Sequence, residues 1–118
     1  MKILIADDSQ FMRHILKDML NAAGYMDTVE CADGNECLAR FNAEKPDLVL
    51  LDIIMPDLDG IEVLKKIGKS AKVVVISAVG QEKMIDQAKS LGALDYIVKP
   101  FDNVKVIEVV KKILAWTR

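Results

Sequence analysis

The sequence predicts an α/β fold, a three-layer sandwich in which a parallel sheet lies between two layers of helices. Three observations carry this. Five apolar runs of strand length recur along the 118 residues, at 2–6, 28–32, 47–51, 72–77 and 95–99. A helical pattern follows each run, and no low-complexity linker interrupts the alternation. Three of the runs are near-continuously apolar rather than alternating, as expected of strands covered on both faces. Repeated strand-then-helix units imply parallel strands joined by right-handed crossovers.

The first strand is "KILIA" (2–6). After it, Asp8 or Ser9 can cap a helix whose apolar positions Met12, Leu16, Met19 and Ala23 step by three and four, closing at Gly24. "TVECA" (28–32) is the second strand. Asp33 to Glu36 then reads as a capping box ahead of Leu38 and Phe41, and Pro46 ends that segment. "DLVLL" (47–51) precedes a helix over 61–67, and "KVVVIS" (72–77) precedes one over 81–91 that closes at Gly92. "DYIVK" (95–99) leads into the last helix, over 103–116.

The length fits one domain, 1–118, and the balance of 52% apolar with 29% charged residues fits a globular chain. A formal charge of −2 and no basic stripe argue against nucleic acid as the main partner. Asp7 and Asp8 stop the N-terminal apolar run too soon for a signal peptide, and no segment approaches a membrane span. A cytoplasmic protein without a membrane partner is the expectation. Cys31 and Cys37 lack a second pair, so they read as reduced packing residues rather than a disulfide framework or zinc site. His14, the only histidine, is expected on an exposed helical position, and Met12, Met19 and Met84 in or near the core.

In doubly wound folds ligands bind at the carboxyl ends of the strands, beside a topological switch point. That edge collects Asp7 and Asp8 after strand one, Asp52 after strand three, Ser77 at the end of strand four and Lys99 after strand five. Strand two contributes only Ala32 and Asp33. Crowded carboxylates repel unless a cation or a raised pKa relieves them. A magnesium ion held by one or two carboxylates, waters and a phosphate suits this inventory. Lys99 supplies a point charge for a phosphate oxygen, and Ser77 can donate one hydrogen bond. An ionised acid beside a metal and an anion site can attack phosphorus to form an aspartyl phosphate. Asp52, ending the central strand, is the nucleophile candidate, with Asp7 and Asp8 as metal ligands.

These residues resemble the response-regulator receiver domains of two-component signalling. The resemblance rests on "LIADDS", "LLDIIMPDLDG", "ISA" and "YIVKPF", in that order from Leu4 to Phe101. It implies a (βα)5 flavodoxin-like sandwich with strand order 2-1-3-4-5. It also implies phosphorylation on Asp52, magnesium held by Asp7, Asp8, Asp52 and the backbone carbonyl of Ile54, and roles for Ser77 and Lys99 at the phosphoryl group. Ser77 and Tyr96 fall on the switch positions, and Lys99-Pro100 on a bond that is typically cis. The residues two beyond the aspartate and two beyond the hydroxyl, Ile54 and Val79, are apolar, which implies slow self-dephosphorylation.

On the same resemblance the chain is a stand-alone regulator, not a conventional enzyme, that receives its phosphoryl group from a histidine kinase and signals by binding. "DDSQFMR" and "SAVGQEKMIDQAKSLGALDYIVKPF" look like the chemotaxis regulators of the family. The implied partner is then a flagellar or archaellar motor-switch or adaptor protein, docking on the face of helix four, strand five and helix five. A phosphatase and a monomeric state complete the expectation. A phosphorelay carrier that passes the group to a histidine phosphotransfer protein is the alternative.

Other chemistries fit less well. With Gly60 at the sixth position of a calcium loop, Met55 and Lys66 occupy the first and twelfth, where acids are needed. An aspartate-based phosphohydrolase of the dehalogenase type needs a second acid two residues on, where this chain has Ser9 and Ile54. A nucleotide- or flavin-binding module lacks any glycine-rich phosphate loop after strand one.

Overall fold

The computed structural model of the chain describes residues 1–116. Five strands and five helices alternate: β1 (Lys2–Ala6), α1 (Gln10–Ala22), β2 (Asp27–Cys31), α2 (Gly34–Glu44), β3 (Leu48–Asp52), α3 (Gly60–Ile67), β4 (Val73–Ala78), α4 (Glu82–Ser90), β5 (Asp95–Lys99) and α5 (Asn103–Leu114). The strands form one parallel sheet in the order β2-β1-β3-β4-β5.

Each inner strand is apolar over most of its length because its two sets of alternate side chains face two different helix layers. Ile3, Ile5, Leu48, Leu50, Val74 and Ile76 pack with Leu16 and Leu20 of α1 and with Val106, Val109, Val110 and Ile113 of α5. Leu4, Ala6, Val49, Leu51, Val73 and Val75 pack with residues of α2, α3 and α4. Burial of one such aliphatic side chain is worth about 1.5–3 kcal/mol, so both layers are held by the same strands.

Helix starts follow local chemistry. Ser9, Asp33, Asp59 and Asp102 are N-caps, their side chains accepting from the amides of Met12, Glu36, Glu62 and Lys105. Ser9 rather than Asp8 caps α1, and Glu36 reaches back to the amide of Ala32 at 2.9 Å. Met12, Met19 and Met84 border the two cores, and His14 is exposed beside Asp18.

Some expectations shift. Ala23 is the exposed C-cap of α1, and Leu20 takes the buried place at the end of the stripe. The last helix stops at Leu114, so Trp116 lies beyond it and is half exposed. Asp59, for which the sequence singles out no capping role, caps α3. Cys31 and Cys37 are free thiols buried in the core between β2 and α2.

Candidate functional site

After β1 the chain moves outward to β2, and its return places β3 on the other side of β1. The switch point therefore lies between the ends of β1 and β3, where Asp7 follows one strand and Asp52 closes the other. Asp52 is only 6% exposed and Asp7 1%, whereas Asp8 is exposed. One carboxylate oxygen from each of Asp7, Asp8 and Asp52 lies within 4.8 Å of the others.

The loop after β3 is shaped by Gly60. Its amide donates to the Ile53 carbonyl at 2.8 Å, and a Cβ there would stand 2.5 Å from the Asp52 carbonyl oxygen and 2.8 Å from the Ile53 Cα. Only a glycine lets the chain fold back this closely onto the strand end. Inside that loop the Ile54 amide donates to Asp52 Oδ1 at 3.3 Å, while the Ile54 side chain stays half exposed.

Lys99, the last residue of β5, reaches across to the acids. Its Nζ lies 3.5 Å from Asp7 Oδ2 and 3.6 Å from Asp52 Oδ2. The Lys99-Pro100 bond beside it is cis. Ser77 is buried near the end of β4, and among the described residues its Oγ has no hydrogen-bond partner. A buried hydroxyl left unpaired costs about 1–3 kcal/mol, so this atom is poised to gain an acceptor.

Three carboxylates face one ammonium, and the imbalance falls on Asp52. Burial, and then the Asp7 carboxylate, push its carboxyl group up to about 6, with Lys99 and the Ile54 amide opposing the rise and Asp8 adding to it. The donor set is all oxygen and carries excess negative charge, which fits a hard divalent cation such as magnesium.

Tyr96 is not among the acids. It lies on β5, partly exposed, with Lys89 Nζ 4.7 Å from its ring centroid. Between it and α4 runs a groove of about 280 Å³, lined by Val79, Glu82, Ile85, Lys89 and Val98 as well as Tyr96.

Sequence reasoning missed a contributor on α1, anchored to β2. Arg13 of α1 donates from Nη1 to the Asp7 carbonyl at 2.6 Å and from Nε to Glu30 Oε1 at 3.1 Å. No motif marks this pair, because its partner atom is backbone and its acid lies 17 residues away.

The profile of the response regulator receiver domain matches residues 3–111. The chain belongs to the response regulator receiver domain family. Members of this family bind magnesium at an acidic pocket. Chemotaxis protein CheY of Thermotoga maritima is 43% identical over 115 residues, covering 95% of this chain and 96% of that one. Sporulation initiation phosphotransferase F of Bacillus subtilis is 42% identical over 116 residues, covering 96% and 93%. Among solved structures, the receiver domain of NtrX from Brucella abortus superposes with a TM-score of 0.92 at 33% identity, covering 98% of this chain and 99% of that one. In a structure of NtrX itself the matched part is 26% of that chain, with a TM-score of 0.90 and 34% identity over 96% of this one. The flavodoxin-like architecture and the strand order expected from sequence are those of the structure.

Proposed function

We propose that residues 1–118 act as one CheY-like receiver domain that accepts a phosphoryl group from a histidine kinase on Asp52. The observation that carries this reading is the buried Asp52 carboxylate held beside Asp7, Asp8 and Lys99 at the carboxyl edge of the sheet. An Asp52 oxygen attacks the phosphorus of a phosphohistidine, the P–N bond breaks, and its electron pair stays on the departing imidazole. Asp7, Asp8, Asp52 and the Ile54 carbonyl are the residues that would hold magnesium. When bound, the ion neutralises charge on the phosphoryl oxygens. Lys99 is placed to pair with one phosphoryl oxygen, and the unpartnered Ser77 Oγ to donate to another.

The phosphoryl group is expected to persist. Ile54 and Val79, both exposed and apolar, offer no side-chain group to orient a water. Loss of label within seconds, without a phosphatase, would contradict this.

Output follows from the Tyr96 groove. With Ser77 drawn to the phosphoryl group, the β4–α4 loop moves and Tyr96 turns inward, a population shift between two packings of the α4–β5–α5 face. Chemotaxis is the pathway favoured by the likeness to CheY, with a motor-switch or adaptor protein as binding partner, a phosphatase to end the signal, a cytoplasmic location and a monomeric state. Among the described residues no helix is long and apolar enough to cross a membrane. The likeness to sporulation initiation phosphotransferase F supports a second reading, a phosphorelay carrier.

Incubation with a phosphorylated histidine kinase tests the first claim. Label should appear on the wild type and vanish in Asp52→Asn; label retained on another residue would refute the assignment. Phosphorylation-dependent binding of a motor-switch peptide supports the chemotaxis reading, and onward transfer to a histidine phosphotransfer protein the relay.

A further inference from the structure

The acids at the site are held very unequally. Asp7 is fixed several times over: its amide donates to the Cys31 carbonyl at 3.1 Å, its Oδ1 accepts from the Ser9 amide at 2.9 Å, and its Oδ2 faces Lys99. Asp52 is fixed by its place in β3 and by the Ile54 amide. The Asp8 carboxylate is exposed, and among the described residues nothing hydrogen-bonds to it or pairs with it. Its place beside the other two acids is left to the backbone.

The Asp7 carboxylate holds the peptide after Asp8 through the Ser9 amide, and Arg13 holds the peptide before it. The Asp7 carbonyl belongs to the peptide joining Asp7 to Asp8, so the 2.6 Å bond from Arg13 Nη1 fixes the plane of that peptide. The plane sets φ of Asp8, and φ sets the direction of its Cα–Cβ bond. Arg13 is itself anchored, because its Nε donates to Glu30 on β2 and its side chain is only 14% exposed. A charge-assisted bond to a carbonyl, backed by an ion pair, is among the stronger holds available to a loop.

We propose that Arg13 is a positioning residue for the acid site: through the Asp7 carbonyl it orients Asp8, and so sets the affinity of the site for a divalent cation. This rests on the reading of Asp7, Asp8 and Asp52 as a magnesium site. The planar guanidinium matters more than its charge. A lysine keeps the charge but carries its donors on a single nitrogen, so it cannot reproduce the two bonds that Nη1 and Nε make at their fixed spacing.

Charge and geometry make opposite forecasts. Removing a positive charge near a cation site lowers repulsion and, on electrostatics alone, tightens cation binding. Loss of the orienting bond weakens it, and partners that orient metal ligands typically change affinity by about 10–100-fold when removed.

Magnesium ion alone is the probe, titrated calorimetrically into wild type, Arg13→Lys and Arg13→Ala well below the thermal midpoint of each, with the midpoints measured separately. Both variants are expected to bind magnesium about tenfold more weakly than wild type. An unchanged affinity with a lowered midpoint would show a merely structural role and overturn the inference, as would tighter binding in Arg13→Ala. If Arg13→Ala does not fold, Arg13→Lys, which keeps the charge, decides alone. A wild type that binds no magnesium would overturn the reading of the three acids, and this inference with it.

Discussion

At the scale of single residues, the protonation of Asp52 links the site to stability. Its carboxyl group is held near 6 in the folded chain, against an ordinary value of 3.8. Between those values the folded state keeps a proton that the unfolded state has released. The stability contributed by this group is therefore complete below the lower value and is lost as pH rises through the higher one. At neutral pH the ionised Asp52 costs the metal-free protein up to roughly 3 kcal/mol. Asp52→Asn is accordingly expected to raise the thermal midpoint at neutral pH, with the advantage fading towards pH 4 and shrinking when magnesium is added to both proteins. Thermal unfolding across this range checks it, and an advantage independent of pH would contradict the account. The acids, Ser77 and Lys99 were legible in the sequence because each sits at the end of an apolar run. Arg13 and Lys89 were not, since one acts on a backbone oxygen and the other on a ring across the groove.

Among the elements, the β3–α3 connection shows how one loop separates site geometry from helix stability. A Cβ on Gly60 would press on the carbonyl of Asp52 and on Ile53, so Gly60→Ala is expected to cost about 1–3 kcal/mol and to reduce phosphoryl labelling. Asp59→Ala removes only the cap of α3, costing about 1 kcal/mol with labelling preserved. Urea unfolding and labelling of the two variants, side by side, test this separation; equal labelling in both would refute it. All ten elements could be read from the sequence, with errors confined to their ends. Three strands lie one residue from their expected bounds, because backbone pairing rather than apolar character decides where a strand stops: Asp52 pairs with Ile76 although it is charged. Ala23 was misread for a related reason. It continues the helical stripe in sequence, but α1 has already ended beneath it.

For the molecule as a whole, one sheet serves two cores, and this couples the layers. Leu50 faces α1 and α5, Leu51 faces the other helices, and both are fully buried. Truncating either to alanine is expected to cost about 2–5 kcal/mol and to leave a single unfolding transition, since neither layer keeps its sheet without the other. Separate transitions in either variant would contradict that coupling. The same arrangement brings residues 7, 52, 77 and 99 to one edge, where Asp52 is the proposed phosphoryl acceptor. Intact mass after incubation with a small phosphodonor and magnesium tests that assignment most directly. The wild type should gain the mass of one phosphoryl group and Asp52→Asn none; no gain in the wild type, or the same gain in the variant, would contradict the account.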